Sequence, residues 1–227
     1  FSNEVILRAG RLNLPFGVRI PEHTSWIREA TRTDRESDQQ HGLALAYVGE
    51  KIRAEVMGIA GNYQLGPDQF RERGYSLFIE GMSGSNLAVG ISSKVTYAQQ
   101  DRVTLERDSL RQSHGIFSRW APADSVAVLF EADALFRTNA DAGYVAFLQA
   151  DYEPIQGLHF LLTGEVLDQG LAIQSPPPET LPGLGRPRLG GWLSLDWFFY
   201  RQFEFRTDAI VRQDDPFTLL GQLHLYL

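Results

Sequence analysis

The sequence predicts an all-β chain that forms a transmembrane, antiparallel, up-and-down β-barrel of about 12 strands. Three observations predict it. Apolar and polar residues alternate with period two in segment after segment, the signature of strands with one greasy and one wet face. The connections between those segments alternate in length, short then long, so that one end of the sheet carries tight turns and the other carries loops. The final stretch, Phe217 to Leu227, alternates strictly, with Phe217, Leu219, Leu223, Leu225 and Leu227 on one face and Gln222, His224 and Tyr226 on the other. A soluble domain with such a strand at a sheet edge would invite aggregation. The competing architecture is a soluble all-β domain whose greasy face is an interior. Its aromatics would show no preference for strand ends.

Taken in order, the strands are expected near 4–12, 41–49, 51–62, 75–82, 86–97, 113–121, 125–137, 143–153, 158–168, 188–199, 203–212 and 216–227. Gly49-Glu50-Lys51, Gly81 to Ser85, Ala121 to Asp124 and Glu153 to Gly157 have tight-turn compositions. The prolines and glycines of 169–187 remove ladder donors and exclude a central strand there, which leaves a surface loop. One domain spanning 1–227 is expected. Parity turns Leu87, Val89, Ile91, Val95 and Tyr97 toward lipid on one strand, Leu158, Phe160, Leu162 and Val166 on another, and Leu193, Leu195, Trp197 and Phe199 on a third. Trp120, Tyr152, Trp197 and Phe199 fall near the turn end, and Tyr75, Tyr97, Phe136 and Tyr144 near the loop end. Tyr144 and Tyr152 share a face, and at ~3.3 Å per residue with a tilt of about 40° they lie roughly 20 Å apart along the normal, close to the apolar band of outer-membrane barrels.

Composition sets further bounds. No run of 18 or more apolar residues occurs, so a helical span is excluded. Cysteine is absent, which removes disulfides and thiolate chemistry. A net charge of −7 with only two lysines, Lys51 and Lys94, argues against nucleic-acid binding. The chain opens on Phe1 without a signal peptide, as expected of a mature form or a fragment.

The wet parity marks the lumen. Its acids are Glu55, Glu80, Glu131, Asp133, Asp151, Glu165, Asp196, Glu204 and Asp208, and its bases are Arg8, Arg53, Lys94, Arg119, Arg206 and Arg212. Charges so placed must meet water or each other. They either line a pore and select permeating ions, or pack as salt bridges that plug a narrow barrel. The first long connection, 13–40, carries its own candidate helix. Thr24 or Ser25 would cap it, it would run to about Arg32, and Trp26, Ile27 and Ala30 would form its apolar side. Such a loop either folds into the mouth, making Arg19, Glu22, His23, Trp26 and Arg28 the constriction candidates, or packs over the rim or against a partner.

Val5 to Gly17 with its Pro15-Phe16-Gly17, His41 to Gly49, and Ala54 to Tyr63 resemble the phosphate-selective porin family and related bacterial porins. The resemblance covers roughly residues 4–63, and the rest matches only a generic outer-membrane barrel. It implies a porin with more strands than twelve, hence further strands upstream. It does not imply phosphate selectivity, because that family reads anions through ladders of basic residues and here the lumenal acids outnumber the bases.

An enzyme is not expected. Neither a Gly-x-Ser-x-Gly elbow nor a His-Glu-x-x-His motif occurs. His159 and His224 share the wet parity, His23 and His41 lie in or beside the first loop, and His114 opens a strand. Glu131 and Asp133, about 6.6 Å apart along a strand at ~3.3 Å per residue, are not expected to hold a metal, and no cofactor is expected. The implied location is the outer membrane of a Gram-negative bacterium. The expected partners are the lipid bilayer, small ions or solutes, and a protein partner or further copies of the chain. Two functions remain: a porin-like channel for passive diffusion of ions or small hydrophilic solutes, and a structural barrel that anchors or sheathes a partner.

Overall fold

The computed structural model describes residues 4–20, 25–62, 69–101, 105–170 and 186–226. Twelve antiparallel strands form one sheet in sequence order: β1 (Val5–Leu12), β2 (Gln40–Val48), β3 (Ile52–Gly61), β4 (Arg73–Ser83), β5 (Leu87–Gln100), β6 (Arg107–Ala123), β7 (Val126–Arg137), β8 (Gly143–Ile155), β9 (Leu158–Asp168), β10 (Arg188–Tyr200), β11 (Phe203–Arg212) and β12 (Thr218–Leu225). Every strand pairs with its neighbours in sequence, the up-and-down order expected. The bounds fall within a few residues of those predicted, except on β6. That strand begins at Arg107 rather than 113, so His114 lies within the strand instead of opening it. Its early residues Arg107, Asp108 and Ser109 are poor strand formers alone and are held by pairing with β5, Ala98 to Ser109 and Gln100 to Arg107. The edges of β1 and β12 are not hydrogen-bonded to each other among the described residues.

The face assignments follow the parity. Val89, Ile91, Phe160, Leu162, Leu193, Leu219 and Leu223 are exposed on the outward face, and Tyr75, Tyr97, Phe136 and Tyr144 at the loop end and Trp120, Tyr152 and Trp197 at the turn end are exposed with them. The opposite parity is buried although it carries most of the charge: Glu55, Glu80, Lys94, Glu131, Asp133, Glu165, Glu204 and Asp208 are each less than a tenth exposed. An apolar outside and a polar, buried inside is the arrangement of a lipid-embedded barrel, the inverse of a soluble sandwich. No helix among the described residues is long and apolar enough to cross a membrane.

The interior is filled by the first connection. From Leu14 onward the chain turns inward, and Leu14, Phe16, Val18, Ile20, Trp26, Ile27 and Ala30 are all buried. Helix α1 (Trp26–Thr31) starts on Ser25, whose carbonyl accepts the amides of Arg28 at 3.1 Å and Glu29 at 3.2 Å, and it ends on Arg32 in the left-handed region at φ 51°. Thr24, the other cap candidate, lies outside the described residues. Val18, Ile20, Trp26, Ile27 and Ala30 pack on Phe117, Leu135, Val145, Phe147 and Leu167 of the wall. The wall residues share the wet parity, so the lumenal face is not wholly polar. Its apolar stretch over β6 to β9 is where the connection docks.

Candidate functional site

The register of the sheet strings lumenal side chains into cross-strand rows. One row runs Arg53, Glu80, Gly90, Phe117, Glu131, Phe147, Glu165, Gly190, Arg212 across β3 to β11. Two carboxylates in this row hold the inserted connection. Glu131 accepts the Val18 amide at 2.7 Å and pairs with the Arg28 guanidinium, and both side chains are almost wholly buried. Glu165 accepts the Trp26 amide at 3.0 Å, the Trp192 indole N–H at 2.9 Å and Arg212 Nε at 2.7 Å. The Trp26 ring lies between two guanidiniums, Arg188 and Arg212, each 4.9 Å from its centroid. Backbone amides facing a buried carboxylate are strong charge-assisted donors, so these contacts are latches rather than incidental pairs. Gly17 makes the approach possible. Its φ is +54°, and a Cβ there would sit 1.8 Å from Glu131 Oε1.

A second set of latches sits toward the loop end. Lys94 donates from Nζ to the carbonyls of Thr31 at 3.1 Å and Arg32 at 3.0 Å, and lies 3.3 Å from Glu72. Arg32 pairs with Glu72 at 2.6 Å and Asp101 at 3.2 Å. Arg111 pairs with Asp101 at 3.1 Å and donates to the Ala30 carbonyl at 3.1 Å. Ser76 donates to the Pro15 carbonyl at 2.7 Å. Burial alone would raise the Glu72 carboxyl, but Lys94, Arg32 and Arg111 together outweigh it and hold the group well below the usual carboxylate range. Asp38 is shifted the other way, raised chiefly by burial against the attraction of Lys94.

The predicted site residues thus divide. Glu55, Lys94, Glu131, Glu165 and Arg212 touch the inserted connection or the residues that clamp it; Glu55 pairs with Arg8 and lies 3.4 Å from Arg19. Asp133 is buried beside them, with no hydrogen-bond donor on its carboxylate among the described residues. Of the constriction candidates, Trp26 and Arg28 are buried in the latches and Arg19 is exposed, while Glu22 and His23 lie outside the described residues. The remaining charges pair along or across the wall. Arg119 chelates Glu80 at 2.9 and 2.5 Å, Arg206 holds Asp208 at 3.1 Å, Glu204 meets His224 at 3.2 Å and Tyr226, and Asp151 meets His159 at 3.1 Å. Asp196 sits in register between His159 and Arg206.

Two cavities of about 290 Å³ each remain beside the connection. One, at the loop end, is lined by Trp26, Glu29, Arg111, Arg137, Arg188 and Arg212 among others. The other, toward the turn end, is lined by Arg19, Arg53, Glu55, Glu80, Phe117 and Arg119 among others. Sequence reasoning missed Arg32, Glu72, Asp101, Arg111 and Arg188. Glu72 and Asp101 lie in connections, where strand parity says nothing, and Arg111 belonged to a stretch read as loop. Arg188, at the first position of β10, shares the parity of Asp196, and that parity was the available signal.

No protein-family model matches the chain, and no curated protein sequence matches it. Among solved structures it is similar to OmpTdeltaL8, a loop L8 deletion mutant of OmpT, an outer membrane protein of Vibrio cholerae, with a TM-score of 0.70 and 11% identity over 99% of this chain and 76% of that one. OccAB4 of Acinetobacter baumannii aligns with a TM-score of 0.47 and 12% identity over 98% of this chain and 71% of that one. At such identity the first likeness speaks for the fold. The chain has the fold of a bacterial outer-membrane β-barrel, and its outward apolar band is the surface of a protein that resides in that membrane.

Proposed function

We propose that the protein is a porin-like channel for passive diffusion of ions or small hydrophilic solutes, narrowed from within by its first connection. The observation that carries this reading is the inserted connection, residues 14–20 and 25–34, gripped by Glu131, Glu165 and Lys94, with a charged cavity on each side of it. A buried apolar helix in the lumen sets the width. The stretches of wall beside it, bearing Arg53, Arg119 and Asp196, leave charge of both signs for a solute to meet. The residues named as pore-lining take two roles in this reading, Glu131, Glu165, Lys94 and Arg212 as holders of the constriction and the others as lining. The likeness of residues 4–63 to phosphate-selective porins supports a porin and not a phosphate path, since the lumenal cations are largely paired with carboxylates rather than arrayed as a ladder of bases.

Planar-bilayer recording tests the reading. The purified, folded barrel is expected to give small stepwise conductance, and replacing residues 19–36 by a short Gly-Ser link is expected to raise the step severalfold. A flat trace from both proteins would overturn the channel. A flat trace from the native chain alone would favour the structural barrel, for which the tight packing of Ile27 and Trp26 is the supporting observation.

A further inference from the structure

At the loop end of β5 and β6 the outward face carries a hydrogen-bonded serine–histidine–glutamine group. Across β3 to β9, between the turn-end aromatics and the row of Tyr144, outward positions are apolar or glycine except for Ser118; Ser93, His114 and Asp168 lie in the Tyr144 row itself, and Gln112 one row further toward the loops, with Tyr75 and Phe136. Ser93, His114 and Gln112 are joined to one another. Ser93 and His114 are directly opposed in the ladder, and Ser93 Oγ lies 2.9 Å from His114 Nδ1. His114 Nε2 lies 3.3 Å from Gln112 Oε1, which can only accept, so Nε2 carries the proton and Nδ1 is left to accept from the serine hydroxyl. The Tyr75 hydroxyl stands 3.3 Å from the same Ser93 Oγ.

The level of the group fits a substrate. Tyr75, Val95, Gln112 and Phe136 form one cross-strand row, and Ser93, His114, Ala134 and Tyr144 the next. The relay therefore lies among the loop-end aromatics, which sit at the membrane–water boundary where lipid acyl esters are found and water is at hand. We propose that Ser93, His114 and Gln112 form a centre that hydrolyses acyl esters of membrane glycerolipids from the outside of the barrel. Ser93 Oγ attacks the ester carbonyl carbon while its proton passes to His114 Nδ1. The Tyr75 hydroxyl donates to the oxyanion of the tetrahedral intermediate. The carbon–alkoxide bond breaks, and the His114 proton goes to the departing lyso-lipid alcohol, leaving an acyl-serine. Water, deprotonated by the same nitrogen, then attacks that ester and releases the fatty acid and free serine. Gln112 is a positioning residue, fixing the imidazole's tautomer and plane. The inference stands apart from the channel reading, since every group it uses faces lipid.

The test uses the full chain in vesicles of phosphatidylethanolamine and phosphatidylglycerol, following fatty-acid release and covalent labelling by a fluorophosphonate probe. Wild type is expected to release fatty acid and to be labelled at Ser93. Ser93→Ala and His114→Asn are each expected to lose at least ~100-fold in rate. Gln112→Leu is expected to lower kcat with KM unchanged. All three should keep the native heat-dependent gel shift and conductance, which shows that the barrel is intact. Release no faster than from protein-free vesicles with Ser93 unlabelled, or undiminished release by a folded Ser93→Ala protein, would overturn the proposal.

Discussion

The loop half and the turn half of the interior carry similar residues and use them differently. In the loop half, Lys94, Glu131, Glu165 and Arg111 reach off the wall to the inserted connection, binding its amides, carbonyls and guanidiniums. In the turn half, Arg206 with Asp208, Glu204 with His224 and Asp151 with His159 bond within or between adjacent strands. The difference is one of partner, not of composition. A charge that meets the inserted connection positions it, and a charge that meets its own wall ties only neighbouring strands. The apolar side chains among the loop-half charges, Phe117, Leu135, Val145, Phe147 and Leu167, complete the distinction, because they give the connection an area to bury.

The sharpest break of this comparison is Glu131→Gln. It leaves Arg28 buried without its counter-ion, and an uncompensated buried charge costs about 3–5 kcal/mol. The connection is expected to detach, raising single-channel conductance and opening residues 25–34 to protease, while the heat-dependent gel shift of the barrel persists. Ile27→Ala should follow at about 2–4 kcal/mol, since the side chain is fully buried and leaves a cavity; conductance noise and protease sensitivity would rise, less than for Glu131→Gln.

Acid sharpens the comparison at the loop end. The Glu72 carboxyl is held below its unfolded value, so its stabilisation is complete above the ordinary carboxylate pKa and is lost as pH falls through the lowered one. Asp38 works in the opposite sense. Its raised pKa disfavours ionisation in the folded protein, and acidification through that value relieves the cost. Labelling of a cysteine placed at Ala30 is therefore expected to stay slow from neutral pH down to the ordinary carboxylate range and to accelerate only below it. In the Glu72→Gln background labelling should already be fast at neutral pH, with the low-pH rise gone. The smallest effect belongs to the turn half. Arg206→Gln should shift the reversal potential toward cations and leave step size and protease sensitivity unchanged; an enlarged step would mean that the turn half also positions the connection.

Much of the barrel was legible in the sequence because it is written locally. Period-two alternation decides which way each side chain points without reference to any neighbour, so Val89 and Ile91 outward and Glu131 and Asp133 inward could be read from one strand at a time. Turn chemistry and connection length set strand number and order in the same local way. The spacing of Trp26, Ile27 and Ala30 announced the helix, which starts at Ser25 but without the side-chain cap bond expected of that residue. What depends on accumulated register was not legible. Glu131 and Glu165 become neighbours in one row only through the successive pairings of β7, β8 and β9, and whether a carboxylate there meets water, an arginine of the wall or the Val18 and Trp26 amides depends on where a remote connection comes to rest. The same holds outside, where Ser93 and His114 are unremarkable on their own strands and become a hydrogen-bonded pair only because β5 and β6 set them opposite each other. Sequence alone determined the wall, its faces and its ends; the tertiary structure decided what the wall holds, because contacts between remote segments are set by packing and register rather than by local pattern.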